Sequence, residues 1–105
     1  MGTVVERRPD RLVPVHPGEI LRDEFLLPLG VTQYRLAKAV GVDPRSIHAT
    51  VHGQRSITAE TALLLSRFFD NSQAFWMGLR AQHDVEVARD RPAARLDAVA
   101  AHPRR

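Results

Sequence analysis

Cysteine is absent from all 105 residues. That removes disulfide frames, thiolate metal sites and cysteine nucleophiles together. No apolar run approaches the ~20 residues that cross a bilayer, so no membrane partner is expected. The opening Met1-Gly-Thr-Val-Val-Glu-Arg-Arg8 lacks the apolar centre of a secretion signal. A soluble, cytoplasmic protein is the simplest expectation. A glycine-rich phosphate loop is missing as well. Ser46, Ser56, Ser66 and Ser72 stand at cap or helix positions, without a histidine and carboxylate in a recognisable order. Neither an enzyme nor a cofactor is expected.

What is present suits one small helical domain with tails. The apolar fraction of 44% can fill a compact core. The net charge of +3 is unevenly spread. Residues 1–88 hold ten basic and ten acidic side chains, whereas residues 89–105 hold five arginines against two aspartates. Within the neutral part the signs separate again. Arg35, Lys38, Arg45 and Arg55 face only Asp43 over residues 31–55, while Glu19, Asp23 and Glu24 make the preceding segment acidic. A basic segment beside an acidic flank is a modest footprint for phosphate, although ordinary charge scatter would look similar.

Capping and periodicity predict five helices and no strand, an all-α architecture. Residues 1–16 carry Pro9 and Pro14 without periodicity and read as a flexible N-terminal arm. Pro17 suits a first helical turn. Ile20, Leu21, Phe25 and Leu27 then form an apolar face, which Pro28 and Gly30 should end. Thr32 caps a second helix reaching about Val40, with Leu36, Ala37 and Val40 inward and Gly41 closing it. Asp43-Pro44 starts a third helix that ends near Gly53. Thr58 caps a fourth, with Glu60 in its first turn and Ala62, Leu65 and Phe69 inward. Asn71-Ser72 breaks the chain before a fifth helix anchored by Phe75, Trp76 and Leu79 and running to about Ala88. The domain therefore spans residues 17–90. Residues 91–105 are a basic Ala/Arg-rich C-terminal tail that could hold a short helix.

Residues 32–51 are the most informative stretch. Ala37 is small enough for two helices to cross there, and Gly41 accepts the positive φ of a tight turn. Ile47 and Val51, four apart, give the third helix one buried stripe. This is a helix-turn-helix pattern, for which double-stranded DNA is the first partner to consider. With Ile47 inward, steps of ~100° per residue put Thr50 and Val51 on the buried side. Arg45, Ala49 and His52 then point outward, with Ser46 and His48 on the flanks. Arg45 is the best base reader, because its fork matches both guanine acceptors in the major groove. Ala49 can touch only a thymine methyl. Gln33 opens the second helix, where it can hold a phosphate. Arg55 and His52 suit the DNA backbone. A solvated surface arginine is the plainer reading of Arg45.

His48 and His52 have the spacing of a metal pair, but the residues between them are Ala-Thr-Val and no third ligand is evident. No metal site is expected. Phe75 and Trp76 suit the core better than a ligand cage. One small domain does not need the apolar width of its fourth helix, where Leu64 and Phe68 form a second face. Leu64, Phe68, Phe75 and Trp76 are therefore the expected dimer contacts.

Several stretches together resemble a known family: His16-Pro-Gly-Glu-Ile-Leu21, Gln33 with Leu36-Ala37, Gly41-Val42 with Ile47, Val51-His-Gly-Gln-Arg55, Ile57-Thr-Ala-Glu-Thr-Ala62, and Phe75-Trp76 with Leu79. They resemble the HigA-type (VapI-like) antitoxins of the phage-repressor-like, Cro-like (XRE) helix-turn-helix class. The resemblance covers residues 16–88. It implies a bacterial toxin–antitoxin antidote that forms a homodimer on the palindromic operator of its own operon, near the nucleoid. It also implies a HigB-type toxin partner resembling RelE-type messenger-RNA ribonucleases. Carried over by position, the DNA contacts would be Gln33, Pro44, Arg45, Ser46, Ala49 and His52. Pro44 and Ala49 depart from the pattern, because side chains that hydrogen-bond often stand there. Base readout then leans on Arg45, with Ser46 and His48 assisting, and Asp43 brings a negative charge close to phosphate. The arm and the tail are candidate toxin contacts, since both lie outside the reader. A stand-alone regulator without a toxin and an interaction module that has lost DNA binding are the alternatives.

Overall fold

The computed structural model describes residues 14–91 and 94–103, apart from the side chains of residues 94 and 95. Most of the expected N-terminal arm and the last two arginines lie outside the described residues.

Helix α1 runs from Pro17 to Leu29 in three consecutive stretches, Pro17–Ile20, a π-helical Leu21–Leu26, and Leu27–Leu29. Its start is a reciprocal cap. His16 Nδ1 accepts from the Gly18 N–H at 2.9 Å, and the Glu19 carboxylate accepts from the His16 N–H at 3.3 Å. Two expectations fail in its second half. The helix passes through Pro28 to Leu29, and Leu27 is 68% exposed while Leu26 is buried. Both failures have one cause. Proline lacks an N–H and crowds the carbonyl four residues back, and the preceding turn is widened to an i→i−5 pattern, with the Leu27 N–H donating to Arg22 O. The buried pair is therefore Leu21 and Leu26, five apart.

The next three helices follow their caps. Helix α2 spans Gln33–Val40, with Thr32 Oγ1 accepting from the Arg35 N–H at 3.0 Å. Gly41 then takes φ +76°, a conformation costly for any side chain, and the Val42 N–H returns to Ala37 O at 3.0 Å. Helix α3 spans Pro44–Val51 behind the Asp43 cap, and α4 spans Ala59–Phe69 behind Thr58. Asp70 closes α4 at φ 56°, the only positive φ outside glycine among the described residues.

Helix α5, Gln73–Asp90, completes a five-helix, all-α domain, and a single helical turn follows at Ala94–Asp97. Leu21, Leu36, Ile57, Leu65 and Trp76 are fully enclosed in its core. Phe25 reaches from α1 to Phe69 and Trp76, with ring centres 4.9 and 5.0 Å apart. Trp76, one of the expected dimer contacts, is fully buried within its own chain, with its indole N–H donating to Asn71 Oδ1 at 2.8 Å.

Candidate nucleic-acid interface

The sequence holds α3 on the domain by one side and leaves the other side open. Ile47, Thr50 and Val51 are buried, and α2, whose Ala37 is enclosed, lies against α3. From behind, α1 packs on α3 at Gly18. A side chain at position 18 would collide with the Thr50 carbonyl, so only glycine allows that approach. Thr50, the one buried polar residue among the described residues, places its hydroxyl on Ser46 O at 3.0 Å, which satisfies it. The outward side carries Arg45, His48 and His52, all exposed, with Ser46 and Ala49 half-buried. His48 is thus more open than Ala49, the reverse of their expected ranking.

These outer side chains are already organised. The Arg45 side chain is 92% exposed, yet its guanidinium rests on Asp43, with Nη2 3.1 Å from Oδ2 and Nε 3.4 Å from Oδ1. Asp43 Oδ1 also accepts from the Arg45 backbone N–H at 2.8 Å. These hydrogen bonds, from the side chain first and the backbone second, hold the Asp43 carboxyl below its ordinary range. Arg55 folds back from the turn after α3 and donates from Nη1 to Ser46 Oγ at 2.6 Å. The His48 and His52 rings lie with centres 4.0 Å apart and planes tilted by 34°, and His52 Nδ1 lies 2.9 Å from the His48 carbonyl.

Gln33, Pro44, Arg45 and His48 line one shallow groove between the start of α2 and the start of α3. Of the eight residues expected to meet DNA, these four come together there. Ser46 and Arg55 line a separate polar pocket against the start of α4. Tyr34 completes the groove and was missed by the sequence reading. It is 61% exposed, with the Lys38 ammonium 5.8 Å from its ring centre. An aromatic beside Gln33 on the polar side of α2 was the available signal.

On α4 and α5, Leu64 and Phe68 are half-buried and Phe75 is 39% exposed. Leu63, 58% exposed, is the more open leucine of α4 and was not anticipated. Among the described residues, no helix is long and apolar enough to cross a membrane.

Two helices crossing at a small residue, joined by a tight left-handed turn, with the outer side of the second left open, define a helix-turn-helix protein. The Helix-turn-helix family matches residues 23–73. Virulence-associated protein I of Dichelobacter nodosus is 45% identical over 74 residues, 70% of this chain and 68% of that protein. Antitoxin HigA-1 of Vibrio cholerae serotype O1 is 36% identical over 74 residues, again 70% and 68% of the two chains. Among solved structures, the Pseudomonas aeruginosa antitoxin HigA with the higBA promoter has a TM-score of 0.76 at 37% identity, covering 86% of this chain and 97% of that one. The chain belongs to the HigA-type, VapI-like family of XRE helix-turn-helix proteins.

Proposed function

We propose that the chain is a dimeric repressor that binds its own operator, and the antidote to a RelE-like messenger-RNA ribonuclease. The observation that carries the DNA reading is the open outer side of α3. Arg45 stands there beside a groove shared with Gln33 and Tyr34, while Ile47 and Val51 fix the helix from behind. A solved neighbour on its promoter supports the same use of this fold. A twofold dimer would set two reading helices ~34–36 Å apart, one turn of a palindromic duplex. The dimer contact belongs on apolar side chains that α4 and α5 leave open, Leu63 and Phe75 among them, flanked by Leu64 and Phe68.

The test is titration of the full chain against the duplex upstream of its own reading frame. Arg45→Ala should weaken binding roughly tenfold and flatten the preference at one guanine of each half-site. Unchanged affinity and base preference would remove Arg45 as the reader. Co-expression with the neighbouring reading frame tests the antidote role. Toxicity of that frame alone, relieved by this chain, is the expected result, and a harmless neighbour would leave a regulator without a toxin.

A further inference from the structure

We infer that Asp43 is a specificity-determining positioning residue, which grips one edge of the Arg45 guanidinium so that the other edge is presented to a guanine. The inference rests on the reading of Arg45 as the base contact. A guanidinium has two usable donor forks, one made by Nε with a neighbouring Nη and one made by the two outer nitrogens. Asp43 takes the first, with its two oxygens on Nε and Nη2. The outer fork is left in solvent on a side chain that is 92% exposed. That fork matches the paired N7 and O6 acceptors of guanine in the major groove.

The grip is held from below as well. Asp43 caps α3 by accepting the Arg45 N–H at 2.8 Å, and Pro44 between them fixes its own φ. One carboxylate therefore sets both the start of the helix and the direction of the arginine two residues on. Ordering Arg45 before DNA arrives reduces the rotamer freedom lost on binding. The pair also has a selectivity consequence. An ungripped Arg45 could turn to the nearest phosphate and bind any sequence. A gripped one carries its own counter-charge, which weakens contact with arbitrary DNA and leaves the base-directed fork intact.

A cap and a grip make different predictions when the charge alone is removed. Asparagine and serine both cap helices well, so Asp43→Asn and Asp43→Ser should keep the fold. Full-length wild type and both variants are titrated against the upstream duplex and a scrambled duplex of equal length, at two salt concentrations. The expected result is tighter binding of the variants to scrambled DNA, with a salt slope steeper by about one, and an operator-to-scrambled ratio reduced roughly tenfold. Circular dichroism and melting should match wild type. A ratio unchanged in a folded variant overturns the inference while leaving Arg45 as reader. Equal weakening on both duplexes also overturns it, since loss of a cap alone would do that. A wild type that fails to distinguish the two duplexes overturns the DNA reading itself.

Discussion

The His16 ring joins three parts of the domain. Its Nδ1 caps α1, its carbon edge lies beside the Gly53 turn that ends α3, and it meets the His83 ring of α5 edge-on at 4.8 Å. The cap requires a ring nitrogen free of its proton. Burial first, and the charge of His83 second, hold the His16 pKa below 6.5, against the opposing pull of Glu19 and Asp84. The unfolded chain therefore takes up this proton at a higher pH than the folded one. Stability is complete above about pH 6.5 and is lost as the pH falls below it towards the lowered folded value. The melting temperature should drop as the pH falls below about 6.5, and His16→Asn, which keeps a cap acceptor without a titration, should give a flatter curve. Parallel curves for wild type and His16→Asn would show that this histidine does not govern the acid limb.

At the scale of elements, the join between α1 and α3 decides how firmly α3 is held. Gly18 lies against the backbone of α3 at Thr50 and Val51. Alanine is the better helix former by roughly 1 kcal/mol, which alone would favour Gly18→Ala. The added carbon has no flexible side chain to displace, however, only the Thr50 carbonyl. Overpacking of this kind costs about 1–3 kcal/mol or more, so the net effect should be destabilising. Urea denaturation measures it, and a stabilised Gly18→Ala protein would mean that α1 can shift on α3 without loss. The same join shows what the sequence discloses. Caps at Thr32, Asp43, Thr58 and Ser72 and the turn at Gly41 are local chemistry, legible from a few neighbouring residues, and each stands where the pattern puts it. The register of α1 is not local. The widened turn before Pro28 moves burial from Leu27 to Leu26, and a fixed helical period cannot anticipate it. Gly18 is visible as a letter, but its reason is the backbone of a helix some thirty residues away. At the interface, the outward sense of Arg45 follows from helical spacing, whereas its capture by Asp43 and the return of Arg55 to Ser46 depend on side-chain rotamers that spacing does not set.

For the whole molecule, the proposed dimer requires a contact that leaves the outer side of α3 free. The contact proposed on α4 and α5 uses none of the five side chains that line the groove at Arg45. Trp76 is spent on the protomer's own core, whereas Phe75 and Leu63 are exposed large apolar residues of α5 and α4. They differ in what else they do. The Phe75 ring touches Trp76 at 5.0 Å and Phe25 at 5.8 Å, so replacing it also loosens the aromatic cluster. Leu63 stands 58% in solvent, and a surface substitution there should alter protomer stability by no more than about 0.5 kcal/mol. Leu63→Glu therefore separates the two effects. A buried unpaired carboxylate at a dimer contact is costly, so sedimentation should shift from dimer towards monomer while the melting of the fold changes little. Operator binding should weaken by at least tenfold, because two half-sites are then engaged separately and the effective concentration of the second reader is lost. A dimer that survives both Leu63→Glu and Phe75→Glu would move the contact off these two side chains.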